Sequence, residues 1–219
     1  MLFNDKDRVV FVGDSVTDAG RKRPVGQGLW EGVGTGFVRQ IDTLLNVLYP
    51  ENRYSVFNMG CSGHNTRDLI NRWQTDVIDL KPDVIVCEIG VNDVWRQFDE
   101  PTCFDGHVYI DEYKVNLQKL VDMSKDKCRQ FIFMTPFYME LNTDDEMAKT
   151  VRAYAAVMKE VAAKNDIMCV DLQAVFDDYL KYRHSSYLMW DRVHPGNIGS
   201  MLIAKTFLKA IGVDRQLIN

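Results

Sequence analysis

The sequence predicts an α/β fold, a three-layer sandwich around a central, mostly parallel five-stranded sheet. Two observations predict it. Five short runs are apolar throughout, as strands covered on both faces must be. The longer stretches between them carry apolar residues at helical spacing, and strand alternating with helix builds βαβ units. A third observation locates the chemistry. The loops directly after the first three runs are crowded with Gly, Asp, Asn and Ser, and open α/β sheets place their sites beyond the carboxyl ends of the strands.

The strands are expected at residues 8–12, 54–58, 83–89, 130–134 and 167–171, of which 83–89 (DVIVCEI) has the clearest pattern. Helices are expected at residues 37–48, 113–123, 146–165 and 196–210. No repeat, low-complexity segment or linker interrupts the pattern, so one domain is expected over residues 1–219. A chain of this length buries roughly 70% of its unfolded surface and needs neither metal nor disulfide to hold a core.

Composition excludes several classes. The formal net charge is −5 with a pI near 5.4, and acidic and basic residues are interspersed. Nucleic-acid backbone binding wants clustered Lys and Arg, so no nucleic-acid partner is expected. No apolar run approaches the ~20 residues of a membrane-spanning helix, so no membrane partner is expected. The first residues enter a strand without an apolar signal-peptide core, which is the pattern of a cytoplasmic protein. The cysteines are Cys61, Cys87, Cys103, Cys128 and Cys169, an odd number without CxxC spacing. They read as reduced thiols. No metal-ligand spacing is evident.

A serine nucleophile needs a histidine to take its proton and a carboxylate to hold that histidine in the right tautomer. The chain has four histidines: His64, His107, His184 and His194. His194 stands in Trp190-Asp191-Arg192-Val193-His194-Pro195, so one loop presents both His194 and Asp191. An Asp-x-x-His pair alone is more often a surface ion pair or a helix cap. Ser15, in Gly13-Asp14-Ser15, follows a strand directly and precedes a helix start. That places its hydroxyl and its N–H at the exposed strand end, although the triplet alone better suits a Ser N-cap. A P-loop is excluded by the missing Lys.

Acyl transfer also needs donors for the oxyanion. The Gly60 N–H and the Asn92 side-chain amide are candidates, in Gly60-Cys61-Ser62-Gly63 and Gly90-Val91-Asn92-Asp93 after the second and third strands. Singly, each is an ordinary turn residue. Together, Ser, Gly and Asn follow three successive strands, and Asp-x-x-His comes near the C-terminus.

These four blocks resemble those of SGNH (GDSL-like) hydrolases, in order and spacing, across essentially the whole chain. The first block ends in Val16 where the common form has Leu or Ile, a conservative change. The resemblance implies that Ser15 attacks, His194 is the base and Asp191 orients it. It implies an oxyanion hole of the Ser15 N–H, the Gly60 N–H and the Asn92 amide, with no cofactor. Longer stretches, residues 13–21, 92–99, 134–138 and 190–195, resemble bacterial intracellular acetylxylan esterases. That resemblance implies an acetylated carbohydrate substrate and a homo-oligomer.

Asp14, Trp95, Arg96 and Trp190 abut the catalytic blocks and are candidates for touching the substrate. Tryptophans, Trp30 and Trp73 included, more often belong to the core or a subunit interface, and Trp95 and Trp190 are the better candidates because each abuts a catalytic block. Arg21 and Arg96 equally suit bracing loops through Asp residues. The glycine-rich stretch 26–36 sits too far from its strand for a dinucleotide fingerprint and reads as a flexible loop near the site. His64 is within reach of the pocket mouth, and His107 and His184 read as structural or surface residues. Three rivals stay open at this point: a lysophospholipase or thioesterase on the same scaffold, a non-catalytic carbohydrate-binding module, and a flavodoxin-like phosphate-ligand protein.

Overall fold

A computed structural model describes residues 1–213; residues 214–219, the end of the expected domain, lie outside the described residues. Five strands, β1 (Arg8–Gly13), β2 (Ser55–Gly60), β3 (Val84–Glu88), β4 (Gln130–Met134) and β5 (Met168–Val170), form one sheet. Its order is β2-β1-β3-β4-β5 and every pair is parallel. The chain leaves β1 for β2 on one side and then crosses to β3 on the other, so β1 lies at the topological switch point where such sheets bind ligands.

Alternate residues of each strand enter opposite layers. Val9 and Phe11, Val84 and Val86, and Ile132 and Met134 pack in one core with helices α2 (Phe37–Leu48), α7 (Leu172–Leu180) and α8 (Gly196–Ala210). Val10 and Val12, Ile85 and Cys87, and Phe131 and Phe133 pack in the other core. That core holds α3 (Thr66–Asp76), α4 (Val91–Asp99), α5 (Ile110–Ser124) and α6 (Glu146–Lys164). Both faces are covered, which is why the strands are apolar throughout rather than alternating.

All five strands and the helices α2, α5, α6 and α8 fall where the pattern places them. The short α1 (Ser15–Asp18) is the helix start after the first strand. Helices α3, α4 and α7 were not predicted. Helix α3 reads Thr-Arg-Asp-Leu-Ile-Asn-Arg-Trp-Gln-Thr-Asp, too polar to show an apolar stripe. A local signal was present, because Asn65 and Asp68 form a capping box with bonds in both directions. Trp73 on α3 is wholly buried and donates to Ser124 Oγ at 3.0 Å, so it belongs to the core.

The glycine-rich stretch 26–36 lies along the sheet edge. Gly26 bridges Asn58 of β2, and Asn58 Nδ2 donates to the Val33 carbonyl at 2.9 Å. Leu29 and Trp30 stand exposed on it. All five cysteines are free. Among the described residues no helix is long and apolar enough to cross a membrane.

Candidate active site

Strands β1, β2 and β3 end side by side, with Gly13 in register with both Gly60 and Glu88. Gly13 tolerates no side chain, since an added Cβ would lie 2.0 Å from the Glu88 carbonyl oxygen. The chain then turns at once into α1. Asp14 caps that helix, its Oδ1 accepting from the Val16 N–H at 2.9 Å. Ser15 is therefore the first residue of the helix, and a first-turn N–H has no acceptor within its helix.

The structure brings Ser15, His194 and Asp191 together. Ser15 Oγ is 2.8 Å from His194 Nε2, and His194 Nδ1 is 2.7 Å from Asp191 Oδ2. Asp191 Oδ1 also accepts the backbone N–H groups of Val193 and His194 at 2.9 and 3.0 Å. Burial pushes the Asp191 carboxyl up, but these bonds outweigh it and hold the group below the usual carboxylate range. An ionised Asp191 accepts from Nδ1–H, which leaves Nε2 to accept the Ser15 proton. The loop itself is anchored. Val193 is buried, the Met139 N–H donates to the Arg192 carbonyl at 2.9 Å, and Arg192 reaches Glu140 at 2.7 Å.

Asn92, buried on the first turn of α4, directs Nδ2 at the His64 carbonyl at 2.9 Å. An amide carries two donors, so one hydrogen stays available. Gly60 differs from the expectation. Its N–H donates to Asn58 Oδ1 at 2.9 Å and so is not offered to a ligand. Gly60 is glycine for another reason: an added Cβ would meet the Asp18 nitrogen at 2.2 Å, so α1 rests directly on it. The free donor of this loop is Gly63. It has φ +82°, open space around its Cα and no acceptor for its N–H. It immediately precedes His64, whose carbonyl Asn92 holds. The block contains two glycines, and only the structure, by extending β2 through Gly60, leaves Gly63 as the one in the turn.

The tentative substrate contacts divide. The Trp95 ring lies 6.0 Å from the His194 ring, centroid to centroid. Trp190, next to Asp191, is 83% exposed, a rim position. Arg96 is turned to its own helix, with Nη1 2.8 Å from Asp99 and its guanidinium stacked on Trp95. Asp14 departs from the expected substrate contact. It is fully buried, and it caps α1 from below rather than facing a substrate.

Arg21 braces the loops instead of reaching outward. It donates to the Gly60 carbonyl at 2.8 Å and the Pro24 carbonyl at 2.6 Å. Asp18 does the same from the other side, accepting both the N–H and the hydroxyl of Ser62 at 3.0 Å. His64 Nδ1 accepts from Arg72 Nε at 3.1 Å. Desolvation, helped by the Arg72 charge, lowers the His64 pKa. His107 is buried against the Glu100 carbonyl, and His184 caps a short turn through Ser186. Among the described residues no cluster of three or more His, Cys, Asp or Glu side chains could hold a metal.

Fold and relay together define the class: an α/β hydrolase of the SGNH type, with a serine, a histidine and an aspartate in hydrogen-bonded series. The chain belongs to the GDSL-like lipase/acylhydrolase family, whose model matches residues 11–202. It is 44% identical, over 98% of both chains, to an acetylxylan esterase from Geobacillus stearothermophilus. The crystal structure of Axe2, an acetylxylan esterase from the same organism, superposes with a TM-score of 0.96 at 44% identity, covering 98% of each chain. LAE5, an alpha/beta hydrolase enzyme from the metagenome of Lake Arreo in Spain, matches with a TM-score of 0.95 at 41% identity. The match covers 97% of this chain and 98% of that one.

Proposed function

We propose that this protein is a serine esterase that removes acetyl groups from acetylated xylan or xylooligosaccharides. The observation that carries the reading is the series Ser15–His194–Asp191, with contacts of 2.8 and 2.7 Å. It stands on a scaffold that is 44% identical to an acetylxylan esterase along 98% of its length.

Ser15 Oγ attacks the acetyl carbonyl carbon while its proton passes to His194 Nε2. The carbonyl oxygen becomes an oxyanion, taken up by the Ser15 N–H, the Gly63 N–H and the second hydrogen of the Asn92 amide. His194 gives its proton to the departing sugar oxygen, leaving an acetyl-enzyme on Ser15. Water then attacks that acetyl group, its proton again going to His194. Acetate leaves and Ser15 recovers its proton. Asp191 stays ionised throughout and stabilises the imidazolium. Trp190 offers an aromatic face at the rim and Trp95 lies beside His194, so a sugar ring can stack on the exposed indole. The chain works in the cytoplasm as a homo-oligomer. Free cysteines and the exposed apolar pair Leu29 and Trp30 support that reading.

The test is acetate release from acetylated xylooligosaccharides by the parent protein and Ser15→Ala, with p-nitrophenyl acetate and octanoate alongside. Release from the sugar and the acetate ester, lost in Ser15→Ala, is the expected result. Serine-dependent activity that favours octanoate would discard the sugar and point to a lipase or thioesterase. Sugar binding without turnover would discard the enzyme.

A further inference from the structure

Arg72 lies on α3 with its side chain only 12% exposed, and all three of its guanidinium nitrogens are committed. Nη2 donates to the Gly13 carbonyl at 2.9 Å and Nη1 to the Met59 carbonyl at 2.7 Å. Nη1 also meets Asp76 at 3.0 Å, and Nε donates to His64 Nδ1 at 3.1 Å. These partners belong to different parts of the site. Gly13 ends β1, two positions before Ser15. Met59 lies near the end of β2, four positions before Gly63. His64 follows Gly63, and its carbonyl receives the Asn92 amide at 2.9 Å.

One guanidinium thus joins the root of the serine loop, the root of the glycine turn and the residue that Asn92 grips. The Gly13 carbonyl accepts a second bond, from the Cys61 N–H at 3.0 Å, which draws the same two loops together. We propose that Arg72 is a positioning residue for acyl transfer: its planar fork sets the spacing between the Ser15 and Gly63 N–H donors that receive the oxyanion. The proposal rests on the serine esterase reading given above. Rigidity is the reason for arginine. A guanidinium presents its donors in one plane at fixed angles, whereas an ammonium is a point charge on a flexible stem. Lysine at this position keeps the charge but offers its three donors from a single atom, which cannot reproduce the separate Nη1, Nη2 and Nε contacts.

A brace that only stabilises the fold would change the melting temperature and leave the chemistry of each folded molecule alone. A positioning residue changes the chemistry. The experiment compares Arg72→Lys and Arg72→Met with the parent, counting active sites by organophosphonate titration. It then measures kcat and KM for p-nitrophenyl acetate and the affinity for phenylboronic acid, whose adduct mimics the tetrahedral anion. The expected result is a loss of roughly 10- to 100-fold in kcat per titrated site, because a misplacement of about 1 Å costs that much. KM stays near the parent value, and boronate affinity falls with kcat.

Arg67→Lys is the control on the same helix. Arg67 forks to Glu112 at 2.7 Å and to the Asp105 and His107 carbonyls, all outside the site. It should lower the melting temperature without changing kcat. Unchanged kcat and boronate affinity per titrated site in the Arg72 variants would overturn the proposal. Should Arg72→Met fail to accumulate, Arg72→Lys decides alone. Ser15→Ala, run in parallel, keeps the two readings apart: activity surviving there would sink the nucleophile assignment instead.

Discussion

Asn58 Oδ1 accepts the Gly60 N–H at 2.9 Å, and the other end of the same amide donates to the Thr17 carbonyl at 2.6 Å. One buried side chain therefore closes off the Gly60 donor and ties β2 to the end of α1. It leaves Gly63, three positions along, as the free glycine N–H of the loop, the one proposed above as an oxyanion donor. The two glycines then have different reasons to exist, and substitution separates them. Gly60→Ala would drive a Cβ to 2.2 Å from the Asp18 nitrogen, so it should prevent folding into soluble protein. Gly63→Ala meets nothing within 4 Å and keeps its N–H, but it places a Cβ at φ +82°. That strain is of order 1–2 kcal/mol. Gly63→Ala should fold, melt a few degrees lower and turn over p-nitrophenyl acetate more slowly. A soluble, fully active Gly60→Ala would refute the arrangement.

Asn92→Ala should lower kcat by about 10²–10³, the usual cost of one oxyanion donor, and leave a measurable trace. Asn92 also grips the His64 carbonyl, so its loss loosens the turn that carries Gly63. The combined variant Asn92→Ala/Gly63→Ala should therefore lose less than the product of the single losses, since the two donors share one support. Steady-state kinetics on the three variants reads this directly, and strict multiplicativity would show the supports to be independent.

The contrast between these glycines shows what was legible. Apolar runs and helical spacing announced the five strands and the long helices, because both faces of the sheet must be covered. The relay was legible because Ser15 and the Asp191–His194 pair each abut recognisable blocks. Gly60 was misplaced because a sequence shows that a glycine is required, but not whether for its N–H or for lack of a Cβ. Asp14 was misplaced because adjacency to Ser15 along the chain does not say which side of the turn its carboxyl takes. Arg72 carries no signal at all. It lies in a polar helix, and its partners Gly13, Met59 and His64 are brought to it only by the folded sheet and its loops.

Asp191→Asn should lower kcat by about 10⁴ by releasing His194 into the wrong tautomer. It has a separate signature in stability. The Asp191 carboxyl is held below the usual range, so its contribution is present above ordinary carboxyl pKa values and is lost as pH falls through its lowered value. The melting-temperature gap between parent and Asp191→Asn should therefore be steady near neutrality and shrink below about pH 4. A gap that widened on acidification would mean that the carboxylate is not stabilised by its His194 and backbone partners.

Glu88, at the end of β3, gives the opposite sign. It is buried beneath the site and its Oε1 has no partner. Desolvation first, and the neighbouring Asp14 second, push its carboxyl well above the usual range. Desolvation likewise raises buried Asp14 and Asp93 to about 7. A group raised in the folded state keeps its proton where the unfolded chain has lost it. Its stabilisation is complete below the ordinary carboxyl range and is lost as pH rises toward the folded value. Glu88→Gln resembles the protonated side chain in shape and cannot ionise. It should match the parent near pH 4 and melt progressively higher than the parent as pH rises, gaining at most about 1.4 kcal/mol per pH unit. Thermal melts from pH 4 to 8 test this, and a gap that stays flat would mean that Glu88 ionises as readily folded as unfolded. Activity is the second readout. The Glu88 carboxyl accepts from the Thr17 hydroxyl at 3.4 Å and makes no hydrogen bond to the Ser15–His194 pair. Glu88→Gln should keep its kcat even where it outlasts the parent, so Glu88 limits the stability as pH rises and not the chemistry.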